Sequence, residues 1–172
     1  MPDRLFLRLD DQLCFALYAA TNAVTRAYRP RLEAIGLTYP QYLVMLVLWQ
    51  DGASPVRHIA ARLNLPPNGI TPILDKLDSA GFVTRERGEG DRRVVTVAPT
   101  ETGAALEQAA AVEQDGVVCA TGLVPEDLDR MRGELRAMVV HMEGALATQP
   151  EPRDAPANDD PAPTPPRSEA SP

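Results

Sequence analysis

Residues 55 to 98 constrain the fold more than any other stretch, because they place two short apolar-faced helices directly ahead of a β-prone hairpin. In the first helix Val56, Ile59, Ala60 and Leu63 share one face, behind a Ser54-Pro55 pair that reads as an N-cap and a first-turn proline. A turn over 64–67 leads to the second, where Ile70, Ile73, Leu74 and Leu77 form the inward face and Gly81 supplies the stop. Two short helices with a tight connection spell a helix-turn-helix, over about 55–80. Residues 82–87 and 93–98 then alternate apolar and polar around the polar stretch Gly88-Glu89-Gly90-Asp91-Arg92, which reads as a hairpin with an arginine-bearing tip. A helix-turn-helix followed by such a hairpin is a winged helix. The expected fold class is therefore mainly α, with a small β-hairpin wing over about 82–98.

Longer helices flank this middle. Over 10–34, Leu13, Leu17, Ala20, Val24 and Ala27 recur at spacings of three and four, with Pro30 expected to kink or end the helix and Gly36 to stop it. Thr38-Tyr39-Pro40-Gln41 has the hydroxyl and glutamine of a capping box, and the run 42–49 is apolar almost all round, so the helix it opens should be central. Thr100 caps a helix to about Cys119, and Pro125 opens a last one striped by Leu128, Met131, Leu135, Met138, Val139, Met142 and Leu146. These terminal helices carry more apolar face than a winged domain of this size needs. The surplus predicts a homodimer, and a symmetric pair of reading heads suits a palindromic site on double-stranded DNA.

The domain is expected over 1–146. Residues 147–172 are rich in proline and acid, with hardly an apolar side chain except alanine, and read as a disordered tail. The formal net charge of -7 argues at first against a nucleic-acid partner. Its distribution reverses that impression: residues 54–97 hold seven basic side chains (Arg57, Arg62, Lys76, Arg85, Arg87, Arg92, Arg93) against five acids, and much of the negative charge lies in the tail.

No apolar run reaches membrane-spanning length, so a cytoplasmic protein is expected, with no membrane partner. In a reducing compartment the two cysteines, Cys14 and Cys119, suit a redox role better than a permanent disulfide. His58 and His141 have no partner at ligand spacing. Neither a metal site nor a cofactor is expected, and no grouping typical of an enzyme active site appears.

On the second short helix, Asn68, Thr71, Asp75, Lys76 and Ser79 face outward, and Asn68 and Thr71 can bond base edges or phosphate. Arg92 and Arg93 at the hairpin tip could enter a minor groove, with Asp91 supporting the wing. A merely solvated helix face is the plainer reading of the same residues. Cys14 lies in Leu13-Cys14-Phe15-Ala16-Leu17-Tyr18, so Tyr18 shares its helix face one turn on. Tyr28 falls near that face but about 21 Å along the axis, beyond reach within one chain. If two copies pair these helices antiparallel, Tyr28 of one chain can approach Cys14 of the other. An interface aromatic with its hydroxyl in water is the alternative for Tyr28, and simple apolar packing is the alternative for each cysteine.

The segment from Leu9 to Tyr18, then Tyr28-Arg29-Pro30 and the run from Gly36 to Trp49, resembles the organic hydroperoxide-sensing (OhrR-type), two-cysteine branch of the MarR family of winged-helix repressors, and the likeness extends over about 9–146. The resemblance implies that Cys14 is the peroxide-reacting thiol, hydrogen-bonded by Tyr28 and Tyr39 of the partner subunit, and that Cys119 condenses with oxidised Cys14 to an intersubunit disulfide that releases operator DNA. The recognition helix departs from the family pattern, with Pro66, Pro67, Asn68 and Gly69 at its opening and Asp75 where relatives carry a basic residue. Two other functions stay open at this point. One is a MarR-type repressor released by a small phenolic or aromatic ligand, and the other is a thiol peroxidase using Cys14 and Cys119.

Overall fold

In a computed structural model, which describes residues 8–87 and 94–147, the chain divides after Leu123 into two units. The first begins with a single 3-10 turn (Leu9–Asp11) and then holds α1 (Leu13–Ala34), α2 (Tyr39–Asp51), β1 (Ser54–Pro55), α3 (Val56–Arg62), α4 (Pro67–Ser79), β2 (Val83–Arg87), β3 (Val95–Pro99) and α5 (Glu101–Ala120). The second consists of α6 (Pro125–Ala147). Mostly helical with a three-stranded antiparallel sheet in the order β1-β3-β2, this is the winged-helix class expected from the sequence. Asp91, Arg92 and Arg93, and the tail beyond Ala147, lie outside the described residues.

Helix α2 is the centre of the first unit. Its start is built by the Thr38–Gln41 pair: the Thr38 backbone N–H and its hydroxyl each donate to Gln41 Oε1 at 2.8 Å, satisfying a donor that helix geometry leaves without a partner. Tyr42, Val44, Met45, Val47 and Leu48 are buried on it, and Gly52 ends it at φ 72°, in the left-handed region that favours glycine. Leu32, Leu37, Ile59, Ile70, Leu74, Leu77, Val83 and Val97 complete the core around it. Each such side chain contributes roughly 1.5–3 kcal/mol of burial.

Helix α1 runs through Pro30 to Ala34, the end its periodicity predicts, with fully buried Leu32 anchoring the last turn. One local expectation fails. Ser54-Pro55 is not an N-cap pair; these residues form β1, with Ser54 opposite Val97 and Pro55 opposite Thr96. The Ser54 hydroxyl donates to the Gly52 carbonyl at 3.1 Å, and α3 starts one residue later than the cap reading required. The pairing with β3, some forty residues on, outweighs the local preference.

The hairpin pairs Val83 with Pro99 through Arg87 with Val95. It is tied to α5 at one point: Thr100 accepts from the Gly103 N–H at 3.0 Å and donates its hydroxyl to the Gly81 carbonyl at 2.7 Å. The Trp49 indole donates to the Gly103 carbonyl at 3.0 Å, and a Cβ on Gly103 would run into the Phe82 carbonyl. Glycine is needed there for close approach rather than for conformation. In α6, Met131, Leu135, Met142 and Leu146 of the expected stripe are exposed, and Met138 and Val139 are half-buried.

Candidate redox site and nucleic-acid interface

Helices α1 and α2 bring three phenols together. The Tyr28 ring lies 5.4 Å from both the Tyr39 and the Tyr42 rings, centroid to centroid, and Tyr42 in turn lies 6.4 Å from Trp49. The Tyr42 hydroxyl donates to Gln114 Oε1 of α5 at 2.9 Å. Burial pushes the Tyr28 phenol above its ordinary pKa, the neighbouring Tyr42 hydroxyl pulls it partly back, and Tyr39 pushes it up. Burial also raises Tyr39 and, more strongly, Tyr42, whose phenol is further raised by its neighbours Tyr28 and Tyr39. All three therefore remain protonated, and able to donate, across the physiological range. A cleft of about 210 Å³ opens beside the cluster, lined by Thr25, Arg29, Thr38 and Tyr39 among others.

The sulfurs are placed differently. Cys14 is exposed in the first turn of α1, and Cys119 is exposed in the last turn of α5. Both are free thiols. Tyr18 is 66% exposed, and among the described residues no hydrogen bond joins Cys14 to Tyr18, Tyr28 or Tyr39. Helices α1 and α5 run antiparallel: Arg31 pairs with Glu113 at 3.0 Å, while Ala20, Ala23 and Ala27 line a groove of about 270 Å³ with Val117 and Ala120. The two cysteines thus sit at the same end of this helix pair. Cys14 lies six residues before Ala20, about 9 Å further along the axis.

Asn68, Thr71, Asp75, Lys76 and Ser79 of α4 are exposed, as their spacing predicts, and Ile70, Leu74 and Leu77 are buried. Arg85 of β2 reaches Asp75 at 2.7 Å and Asp78 at 3.6 Å. The departure at Asp75 is therefore compensated within the chain, since the carboxylate is paired with a guanidinium only 23% exposed. A cavity of about 440 Å³ between α3, α4 and the hairpin is lined by Arg57, Thr71 and Arg85. Arg57 and Arg85 were counted from the sequence only among the basic side chains and given no site role; alternation along β2 puts Arg85 on the same face as buried Val83, which was the available signal. Tyr42 was read only as part of an apolar run, and Gln114 not at all, although it shares a helical face with buried Ala110 and Val117.

Among the described residues no cluster of His, Cys, Asp or Glu could hold a metal ion, and no single helix is long and apolar enough to cross a membrane.

The MarR family model matches residues 37–95, which run from the start of α2 into the wing. The chain is 34% identical over 133 residues to the organic hydroperoxide resistance transcriptional regulator of Bacillus subtilis (strain 168), covering 77% of this chain and 90% of that protein. Among solved structures it is similar to overoxidised AbfR bound to DNA, from Staphylococcus epidermidis, at 30% identity and TM-score 0.66, over 79% of this chain and 96% of that one. It is also similar to disulfide-formed AbfR, at 27% identity and TM-score 0.57, over 83% of this chain and 94% of that one. The helix-turn-helix, the hairpin behind it and a likeness that spans nine-tenths of a named regulator agree: this chain belongs to the MarR family of transcriptional regulators.

Proposed function

We propose that this regulator is a homodimeric repressor that holds a pseudo-palindromic duplex operator while reduced and releases it when an organic hydroperoxide oxidises Cys14. The observation that carries the reading is the Tyr28–Tyr39 pair, one phenol buried and one half-buried, both protonated and with rings 5.4 Å apart, in a chain whose Cys14 is exposed. Nothing in one chain uses those donors on a thiol. A second copy with α1 antiparallel to the first would bring them to the partner's sulfur, and hydrogen bonds to a thiolate favour it over the thiol. The exposed apolar side chains Leu13, Met131, Leu135, Met142 and Leu146 supply surface for such a pairing.

The chemistry runs in two steps. The Cys14 thiolate attacks the distal oxygen of the hydroperoxide; the O–O bond breaks, Cys14 becomes a sulfenic acid, and the alkoxide leaves as the alcohol after taking a proton. The Cys119 thiol of the other subunit then attacks the Cys14 sulfur, forming the disulfide and expelling water. Cys119 stands at the end of α5, so closing that bond requires α1 of one subunit and α5 of the other to approach until their Cα atoms are within roughly 7 Å. Such movement would change the separation of the two α4 helices and their wings, and with it the match to DNA.

Asn68, Thr71 and Lys76 on the exposed face of α4 are the proposed groove and phosphate contacts, with Arg92 and Arg93 of the wing as second contacts and Asp91 as wing support. AbfR is solved on DNA both reduced and overoxidised, and apart from that in a disulfide form, which favours the disulfide over thiol oxidation as the releasing event here.

A gel-shift titration with cumene hydroperoxide tests the proposal. Wild-type protein is expected to release its operator, and release should coincide with a crosslinked dimer on a non-reducing gel. Continued binding by the fully crosslinked protein would sink it.

A further inference from the structure

Helix α5 carries a glycine at a position where helix propensity favours alanine, the residue it holds at Ala109, Ala110 and Ala111. The left-handed glycines of the described chain are Gly36, Gly52, Gly81 and Gly122, so backbone conformation does not require one at Gly116. Space does. A Cβ on Gly116 would lie 2.7 Å from Arg31 Cζ and closer still to its Nη1. The Arg31 guanidinium, reaching across from the last turn of α1, therefore rests against the bare backbone of α5, and from there it donates to Glu113 Oε2 at 3.0 Å. Both side chains of this pair are only partly exposed. Glu113, Gly116 and Cys119 follow one another at intervals of three, on successive turns of one helical face. Arg31 thus holds α5 one turn before its sulfur.

We propose that Gly116 and Arg31 are positioning residues for disulfide closure: the seated guanidinium ties the end of α5 to α1 of its own chain, and the tie must give way before Cys119 reaches Cys14 of the other. The inference rests on the disulfide proposed above, in which the Cys119 sulfur attacks the sulfenic sulfur of Cys14, the S–S bond forms, and the hydroxyl leaves as water with the thiol proton. Closure draws α5 toward the α1 helix of the partner subunit. A tie to the chain's own α1 opposes that movement. The earlier step, attack of the Cys14 thiolate on the hydroperoxide, needs no movement of α5 and is left untouched by the pair.

The test is the rate of crosslinked-dimer formation in the full-length protein, quenched with N-ethylmaleimide and read on non-reducing gels, with cumene hydroperoxide in enough excess that closure limits the rate. Arg31→Ala removes the guanidinium, and Gly116→Ala drives it from its seat. Each should close the disulfide about fivefold faster, the upper end of what a partly exposed ion pair holds. The double variant should be no faster than either single one, since both changes remove the same tie. Dimedone labelling of Cys14 in these variants carrying Cys119→Ser should proceed at the rate of Cys119→Ser alone. Closure at the wild-type rate or slower in Arg31→Ala overturns the inference, as do additive effects in the double variant, and the disulfide itself then stands. If the wild-type protein forms no crosslinked dimer under hydroperoxide, the disulfide reading falls and this inference with it.

Discussion

The tyrosine cluster and the two sulfurs make opposite use of the same helices. Tyr28, Tyr39 and Tyr42 are assembled inside one chain in ring contact, Tyr28 and Tyr42 buried and Tyr39 half-buried, while Cys14 and Cys119 are exposed free thiols at one end of the α1–α5 pair. The difference teaches where the cost of building the site falls. Ordering three phenols and shedding their water is done when the monomer folds, so under the proposed pairing a thiol from a second copy would meet donors already in place. The sulfurs, by contrast, gain nothing from the monomer and are left free to react and to move.

The sharpest way to break this contrast is to remove a sulfur. Cys14→Ser is expected to bind operator normally and to show no release at any cumene hydroperoxide concentration that clears the wild type. Cys119→Ser should also stay bound, while mass spectrometry still finds Cys14 oxidised; release by that variant would show that the second sulfur is not needed.

Removing a pre-placed donor should have a large but graded effect. Tyr28→Phe or Tyr39→Phe is expected to slow Cys14 oxidation about tenfold, the size of losing one charge-assisted hydrogen bond worth roughly 1.5 kcal/mol. Stopped-flow oxidation under single-turnover conditions would measure it. Equal rates in both variants and wild type would mean the phenols serve packing alone.

The scaffold holding the phenols can be weakened separately. Gly103→Ala forces a methyl group against the Phe82 carbonyl, next to the Trp49 indole bond, and should cost about 1–3 kcal/mol in urea unfolding. At the proposed DNA face, Arg85→Ala leaves Asp75 and Asp78 unneutralised and should weaken operator binding about tenfold, with Asp75→Asn recovering most of it in the double variant. Additive losses in that cycle would dissolve the proposed compensation.

The smallest effect is in alkali. The folded phenols have pKa values raised above the 10.0 of free tyrosine, so between pH 10 and those raised values the unfolded chain sheds protons that the folded one keeps. Stability should be level below pH 10 and fall above it. Tyr42→Phe should flatten that fall, as followed by thermal unfolding.

Much of the fold was legible in residue order because its signals are local. The Thr38–Gln41 capping box, the stripe of Ile70, Leu74 and Leu77, the alternation of the hairpin strands and the Thr100 cap each lie within a few positions. The misreading at Ser54-Pro55 came from a distant partner: β1 exists because β3 pairs with it. Of the candidate site, Cys14, Cys119 and Tyr28 were raised by residue type and helix spacing, while Tyr39 and the role of each came through a family likeness; Tyr18, which shares the Cys14 helix face, is largely exposed and joined to nothing described there. Tyr42 and Gln114 went unnoticed for a physical reason. A tyrosine in an apolar run looks like core until its hydroxyl is seen to have a partner, and that partner is more than seventy positions away.

Residue order by itself therefore determined the helices, their caps, the hairpin and the sign of charge on the reading face, since periodicity and capping act over a turn or two. Tertiary structure decided which hydroxyls meet, which carboxylate Arg85 neutralises and which face of α1 remains open, because those outcomes depend on distances between segments that no local pattern encodes.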